Sequence, residues 1–238
     1  MRKTVSCLSL ATLSAFAMPA HALQWSRVGE LGLAAARGNT DSDTVNGKLE
    51  LKLEHEGWAH AFGGDYLRSR GELDGESALL AQRYELNFSS SYQFSPGLQW
   101  EGSVRHEEDR LGLYTRQSVL ALNLGWQALT GPDRQLTLSA GPGHRQARLA
   151  DGQEEEDLVL RSVIDYSQPL ADNISLTQQT LLEAGADNVM VQNDLGLSVK
   201  LNGHLSFNSG LQLRHNSQRT ADAVATDKLL TTSLSFDF

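Results

Sequence analysis

Polar and apolar side chains alternate with a period of two along almost the whole chain, in segments longer than most soluble strands. Residues 228–238 read Lys-Leu-Leu-Thr-Thr-Ser-Leu-Ser-Phe-Asp-Phe. Leu230, Thr232, Leu234, Phe236 and Phe238 fall on one face, and Leu229, Thr231, Ser233, Ser235 and Asp237 on the other. A strand carries this pattern where it separates an apolar medium from a polar one. Elsewhere, Val45, Gly47, Leu49, Leu51 and Leu53 oppose Asn46, Lys48, Glu50, Lys52 and Glu54. Tyr84, Leu86, Phe88, Tyr92 and Phe94 likewise oppose Arg83, Glu85, Asn87, Ser91 and Gln93. A helix would scatter these side chains around its circumference.

Twelve such segments are expected, at residues 24–36, 44–55, 58–70, 78–94, 98–110, 116–129, 135–148, 158–168, 174–185, 189–201, 205–217 and 228–238. Most exceed the roughly 9 to 11 residues with which a tilted strand crosses a bilayer, whereas strands of soluble proteins average about five or six. The third and ninth segments alternate poorly, which leaves their facing open.

The amino end reads as an export signal. Arg2 and Lys3 precede an uncharged stretch that is too short to span a bilayer as a helix, and Ala20-His21-Ala22 supplies the small residues of a cleavage site. The domain expectation is therefore a signal peptide at 1–22 and a single barrel domain at 23–238. The one cysteine, Cys7, lies in the segment to be removed, so the exported chain would have no disulfide or thiolate chemistry. No later stretch approaches the roughly 18 consecutive apolar residues of a membrane helix. In lipid, only helices and closed barrels satisfy their own backbone hydrogen bonds. An exported chain of this kind is then a barrel or a soluble periplasmic β-protein, the latter favoured by the two irregular segments and by a sparse external aromatic girdle. The formal charge of −9, more negative still without Arg2 and Lys3, argues against a nucleic-acid partner.

Connections alternate in size. Those at 56–57, 95–97, 130–134, 169–173 and 202–204 are short, while 37–43, 71–77, 111–115, 149–157 and 218–227 are mostly longer and more polar. Only 186–188 breaks the pattern. Short periplasmic turns facing longer external loops describe outer-membrane barrels. Trp25, Trp58, Tyr92, Phe94, Trp100, Trp126 and Tyr166 cluster at the short-turn ends, as an interfacial girdle requires. Tyr66 and Tyr114 are the best candidates for a thinner external girdle. The aromatic end, Phe236 and Phe238, resembles the closing strand that the barrel-assembly machinery receives during insertion into outer-membrane lipid.

The polar face of a closed barrel would line its interior. Arg83, Arg105, Arg145, Arg161 and Arg214 are then expected there with Glu50, Glu85, Glu101, Glu107, Asp165 and Asp194. Eight strands enclose only side chains and 16 to 18 leave an aqueous channel. Twelve, with long arginine and glutamate side chains, imply a narrow or closed lumen that passes small polar solutes at most. Asp151, Glu154, Glu155, Glu156 and Asp157 crowd one expected loop, and 38–43 are rich in Gly, Asn and Asp. Neither spacing matches a calcium or magnesium loop, so no metal or cofactor is expected. Catalysis is not expected either. The alternative is a lipid acyl hydrolase built on His106 or His144, with Ser118 or Ser139 on neighbouring strands, although no nucleophile motif surrounds either serine.

Three segments together resemble a known family. Gly38-Asn39-Thr40-Asp41 follows the first strand, Arg105-His106-Glu107-Glu108-Asp109-Arg110-Leu111 ends the fifth, and Ala140-Gly141-Pro142-Gly143-His144-Arg145 lies within the seventh. Gly102 and Gly125 also fall where the pattern places glycine. This is similar to domain-of-unknown-function family 481, some of whose members are described as salt-stress-induced outer-membrane proteins. His106 and His144 stand where the family would have tyrosine. The resemblance implies an outer-membrane barrel and carries over no catalytic residues.

Overall fold

The computed structural model describes residues 24–36, 42–73, 76–218 and 225–237. The expected signal peptide, the turn residues 38–41 and Phe238 lie outside the described residues. Twelve antiparallel strands follow one another: β1 (Gln24–Ala36), β2 (Ser42–His55), β3 (Trp58–Leu73), β4 (Glu76–Ser95), β5 (Leu98–Asp109), β6 (Tyr114–Thr130), β7 (Gln135–Leu149), β8 (Glu154–Ala171), β9 (Ile174–Ala184), β10 (Val189–Lys200), β11 (Leu205–Asn216) and β12 (Thr226–Asp237). Each pairs with its sequence neighbours, and β12 returns to β1, so the sheet closes into a barrel. Closure removes the unpaired edges that an open sheet would expose.

A single layer of strands leaves each side chain either outside or inside. Leu49, Leu86, Phe88, Leu120, Leu122, Leu124, Leu160, Leu195, Leu197, Phe207, Leu234 and Phe236 all point outward and are exposed. No second layer covers them among the described residues. A soluble sandwich would bury this face, because contiguous exposed apolar surface in soluble proteins rarely exceeds a few hundred Å². Buried apolar side chains, including Leu67, Val119, Val159, Leu181 and Met190, sit on the inner face instead.

Those inner apolar residues account for the two irregular segments. On β3 the inner positions are small, Ala59, Ala61 and Gly63, followed by Asp65 and Leu67. Glycine at Gly63 leaves room for the Asn87 side chain, whose amide oxygen would lie 2.5 Å from a Cβ there and would have to shift. On β9 the inner face carries Leu181 beside Glu183, so an apolar residue stands where the period demands a polar one.

The tight hairpins have a local cause. Glu56 and Gly57 take φ of 48° and 82° in the two-residue β2–β3 turn, where both central residues of the favoured turn need positive φ. At the opposite rim the strands run further than the sequence pattern indicated. β3 and β4 continue to Leu73 and from Glu76, and β8 begins at Glu154. The acidic cluster is therefore mainly strand rather than loop: Glu154, Glu155, Glu156 and Asp157 pair with Arg148, Ala147, Gln146 and Arg145. Alternation then points Glu155 and Asp157 inward and Glu154 and Glu156 outward.

The aromatic rim matches its expectation. Trp25, Trp58, Tyr92, Phe94, Trp100 and Trp126 are exposed on the outer face at the short-turn end, with Trp58 against Tyr92 and Phe94 against Trp100 at ring separations of 4.9 and 5.9 Å. At the other rim Tyr66 faces out, but Tyr114 does not. A register irregularity between Tyr114 and Arg116 moves Tyr114 to the inner face, where it is 4 % exposed. A bulge adds one residue to one strand and so reverses the side on which the preceding residue lies.

The seam is short. β12 pairs with β11 from Leu205↔Phe236 to His215↔Thr226, but with β1 only from Val28↔Asp237 to Leu31↔Leu234. Inside the seam, Glu30 accepts hydrogen bonds from Ser233 of β12 and from Asn208 of β11, the latter at 3.3 Å.

Candidate functional site

Two places on the barrel concentrate polar chemistry: the lumen, and a surface cleft spanning β5–β8. The lumen is crossed by a network of ion pairs. Glu107 on β5 accepts from Arg214 Nη2 on β11 at 2.7 Å. In a ring of twelve strands, β5 and β11 stand diametrically opposite, so this bond runs through the interior. Glu107 also accepts from Arg105 at 3.0 Å and from Gln117 of β6 at 3.1 Å, and it is 1 % exposed.

Arg105 reaches four strands along the ring to Glu183 of β9, with Nη2–Oε2 at 2.5 Å, and also contacts Glu85 of β4 at 3.4 Å. Arg161 of β8 makes an ion pair with the other Glu183 oxygen. Arg83 donates to Gln212 of β11, which itself donates to Asp194 at 2.6 Å, and Gln192 donates to the second Asp194 oxygen at 2.8 Å. Charges taken out of water persist only when opposite charges and hydrogen bonds surround them. Each buried carboxylate here meets that condition.

Nearer the outer rim, Arg145 holds Asp157 with two hydrogen bonds of 3.0 and 2.8 Å and approaches Glu155 at 3.4 Å. Its guanidinium lies 4.9 Å from the centroid of the inward-turned Tyr114 ring, and the Tyr114 hydroxyl donates to Glu155 at 3.2 Å. The forked guanidinium suits such a bidentate partner. Towards the short-turn rim the inner face is more open: Lys48 pairs with Glu50 at 2.8 Å, Gln179 donates to Asp165 at 2.6 Å, and Asn123 donates to Glu101 at 3.1 Å.

All eleven charged residues expected to line the interior thus sit on the inner face. Arg83, Glu85, Arg105, Glu107, Arg161, Asp194 and Arg214 gather in the central cluster, whereas Arg145 belongs to the outer rim and Glu50, Glu101 and Asp165 to the other end. Sequence reasoning missed Glu183, which is fully buried and central, because the irregular pattern of β9 concealed its face. It also missed Asp157 and Glu155 as partners of Arg145, having placed them in a loop. Their parity with Val159 and Arg161 along β8 was the available signal.

The histidines expected as alternative catalytic groups face outward. His106 Nδ1 lies 2.8 Å from Ser118 Oγ of β6, and its Nε2 is 3.9 Å from Glu108 Oε1. His106 and Ser118 open onto a surface cleft of about 400 Å³ that is also lined by Arg116, Gln146, Ala147, Arg148, Glu154, Glu155 and Glu156. His144 faces out one step nearer the apolar belt, in register with Leu120 and Leu158. Ser139 points inward and is nearly buried, so it cannot meet an outward histidine.

Strand number, closure, the outward apolar belt and the aromatic rim define the protein as an outer-membrane-type up-and-down β-barrel. The chain belongs to the family described as Protein of unknown function, DUF481, which matches residues 29–238. Among solved structures, an outer-membrane channel from Pseudomonas putida F1 superposes with a TM-score of 0.51 at 10 % identity, covering 96 % of this chain and 99 % of that one. The NanC porin gives 0.50 at 8 % identity, covering 89 % and 97 %. The translocator domain of the autotransporter NalP from Neisseria meningitidis gives 0.48 at 14 % identity, covering 91 % and 87 %. At such identities these likenesses concern the fold alone. No curated protein sequence matches the chain significantly.

Proposed function

We propose that this protein resides in the outer membrane as a barrel whose lumen is closed at rest. In this reading it has a structural role in the envelope under osmotic or salt stress and admits small polar solutes slowly at most. One observation carries the reading: the Glu107–Arg214 bond between opposite walls, continued sideways through Arg105 to Glu183. An open pore has no use for side chains that join its two sides, whereas a brace against lateral deformation does. Because the pairs are buried, added salt screens them far less than it would screen surface pairs, which suits a protein working at high ionic strength.

The residual conduction has its own support. Among the described residues, Arg214 Nε and Nη1 and Arg161 Nε are buried and find no hydrogen-bond partner. They offer donors to a small polar solute or anion that threads the cluster. Surrounding lipid is the permanent partner of the outer face, and the assembly machinery is the transient one during insertion.

Planar bilayers containing the refolded protein test the reading. Small, infrequent conductance steps or none are expected, and large stable porin-like steps refute the closed lumen. Loss of the protein should impair growth in high-salt medium, and unimpaired growth refutes the stress role.

A further inference from the structure

The strand registers place three kinds of side chain in consecutive rows on the outer face of β4–β8. The first row is Phe88, Val104, Leu120, His144 and Leu158; the second is Leu86, His106, Ser118, Gln146 and Glu156; the third is Tyr84, Glu108, Arg116, Arg148 and Glu154. Between β5 and β7 the surface therefore passes from mainly apolar, through neutral hydrogen-bonding groups, to charged groups within two steps along the strands. A bilayer lipid has the same order: acyl chain, ester, charged headgroup. The paired His106 and Ser118 stand in the row that an ester occupies.

We propose that this outer-face cleft is a serine-hydrolase site for carboxylic esters of long-chain lipids in the outer leaflet. Ser118 is the nucleophile and His106 its base. The 2.8 Å contact puts the Ser118 hydroxyl on His106 Nδ1, and Glu108, 3.9 Å from Nε2, favours the tautomer whose proton is on Nε2. Tyr84 packs against the imidazole with a ring separation of 6.2 Å. Nucleophile, base and a carboxylate facing the base's second nitrogen are what activation of a serine requires. Backbone N–H groups here are committed to the strand ladder, so the oxyanion must meet a side chain. Arg116, two residues from Ser118 on the same face and lining the same cleft, supplies the cation.

Ser118 Oγ adds to the ester carbonyl as its proton passes to His106 Nδ1. The intermediate then expels the alcohol, which takes that proton and leaves an acyl group on Ser118. Water adds next, again giving a proton to His106. The carboxylic acid departs as Ser118 Oγ recovers its hydrogen. The net change is ester plus water to acid plus alcohol, and no other reactant is needed. The site shares no residue with the lumen cluster, so failure of one reading leaves the other standing.

The test uses the full chain refolded in detergent, with folding verified by heat-modifiable gel migration. Treatment with a long-chain alkyl fluorophosphonate, followed by peptide mass mapping, should place one adduct on Ser118. With p-nitrophenyl laurate as substrate, Ser118→Ala should abolish turnover and His106→Ala should lower it at least ~100-fold, the usual scale of general-base catalysis. Glu108→Gln should lower kcat and leave KM unchanged, because Glu108 positions the base and does not touch substrate. Absence of the adduct, its appearance elsewhere, or wild-type turnover by His106→Ala overturns the proposal. Fatty-acid release is then compared between phosphatidylethanolamine vesicles and vesicles containing lipid A. Release from one names the source of the ester, and release from neither overturns the proposal.

Discussion

Replacing Glu107 with alanine is the most direct perturbation of the cross-lumen brace. Among the described residues Glu107 is the one ion-pair partner of Arg214, at 2.7 Å, and it also satisfies Arg105 at 3.0 Å and Gln117 at 3.1 Å. Arg105 keeps Glu183 and Glu85 after the change, but among the described residues Arg214 keeps no carboxylate within ion-pair distance. Removing one member of a buried pair costs about 3–5 kcal/mol, and stranding a buried amide donor adds about 1 kcal/mol, for a loss of ~4–6 kcal/mol. Urea titration of the barrel refolded into vesicles, read by tryptophan fluorescence, measures that loss. Arg214→Ala should be comparably harmful. The double variant should cost less than the sum by up to ~3 kcal/mol, because it no longer buries a lone charge. The same variant should also raise bilayer conductance, since the link between opposite walls is gone. If Glu107→Ala costs less than ~1 kcal/mol, as an exposed pair would, and conductance is unchanged, the brace does not exist.

Other outcomes follow from particular contacts. Gly141→Ala should impair folding by ~1–3 kcal/mol through overpacking, because a Cβ there would sit 2.0 Å from the Leu122 carbonyl oxygen and 2.8 Å from Asn123 Cα, both backbone; an equal refolding yield and midpoint would refute this. Arg145→Ala should destabilise the rim by ~3–5 kcal/mol, since Asp157 and Glu155 lose a fully buried counter-charge; the measurement is protease sensitivity of the connection at 150–153, which should rise. Depth-dependent quenchers in vesicles should place Trp25, Trp58, Trp100 and Trp126 together near one headgroup interface, as their exposed positions on one rim require. Maximal quenching from the bilayer centre would contradict the membrane register.

What the sequence determined by itself was the distinction between the two faces. Whether a side chain meets lipid or the interior depends on its parity along one strand, and alternation records parity residue by residue. Twelve strands, the aromatic rim and the inward direction of eleven charged side chains were legible for that reason. Tyr114 was misplaced because a single added residue reverses parity without changing composition. Glu183 was hidden because its inner-face neighbour Leu181 is apolar, serving packing inside the barrel rather than contact with lipid. Strand register and ring closure decided the rest. Glu107 meets Arg214 because β5 and β11 stand opposite in a closed barrel of this register, and His106 meets Ser118 because β5 and β6 pair with those two positions aligned. Closure is a collective property of all the strands, so no local pattern around Glu107 could announce Arg214, whereas His106 and Ser118 were legible as candidates on neighbouring strands and only the β5–β6 register brought them together.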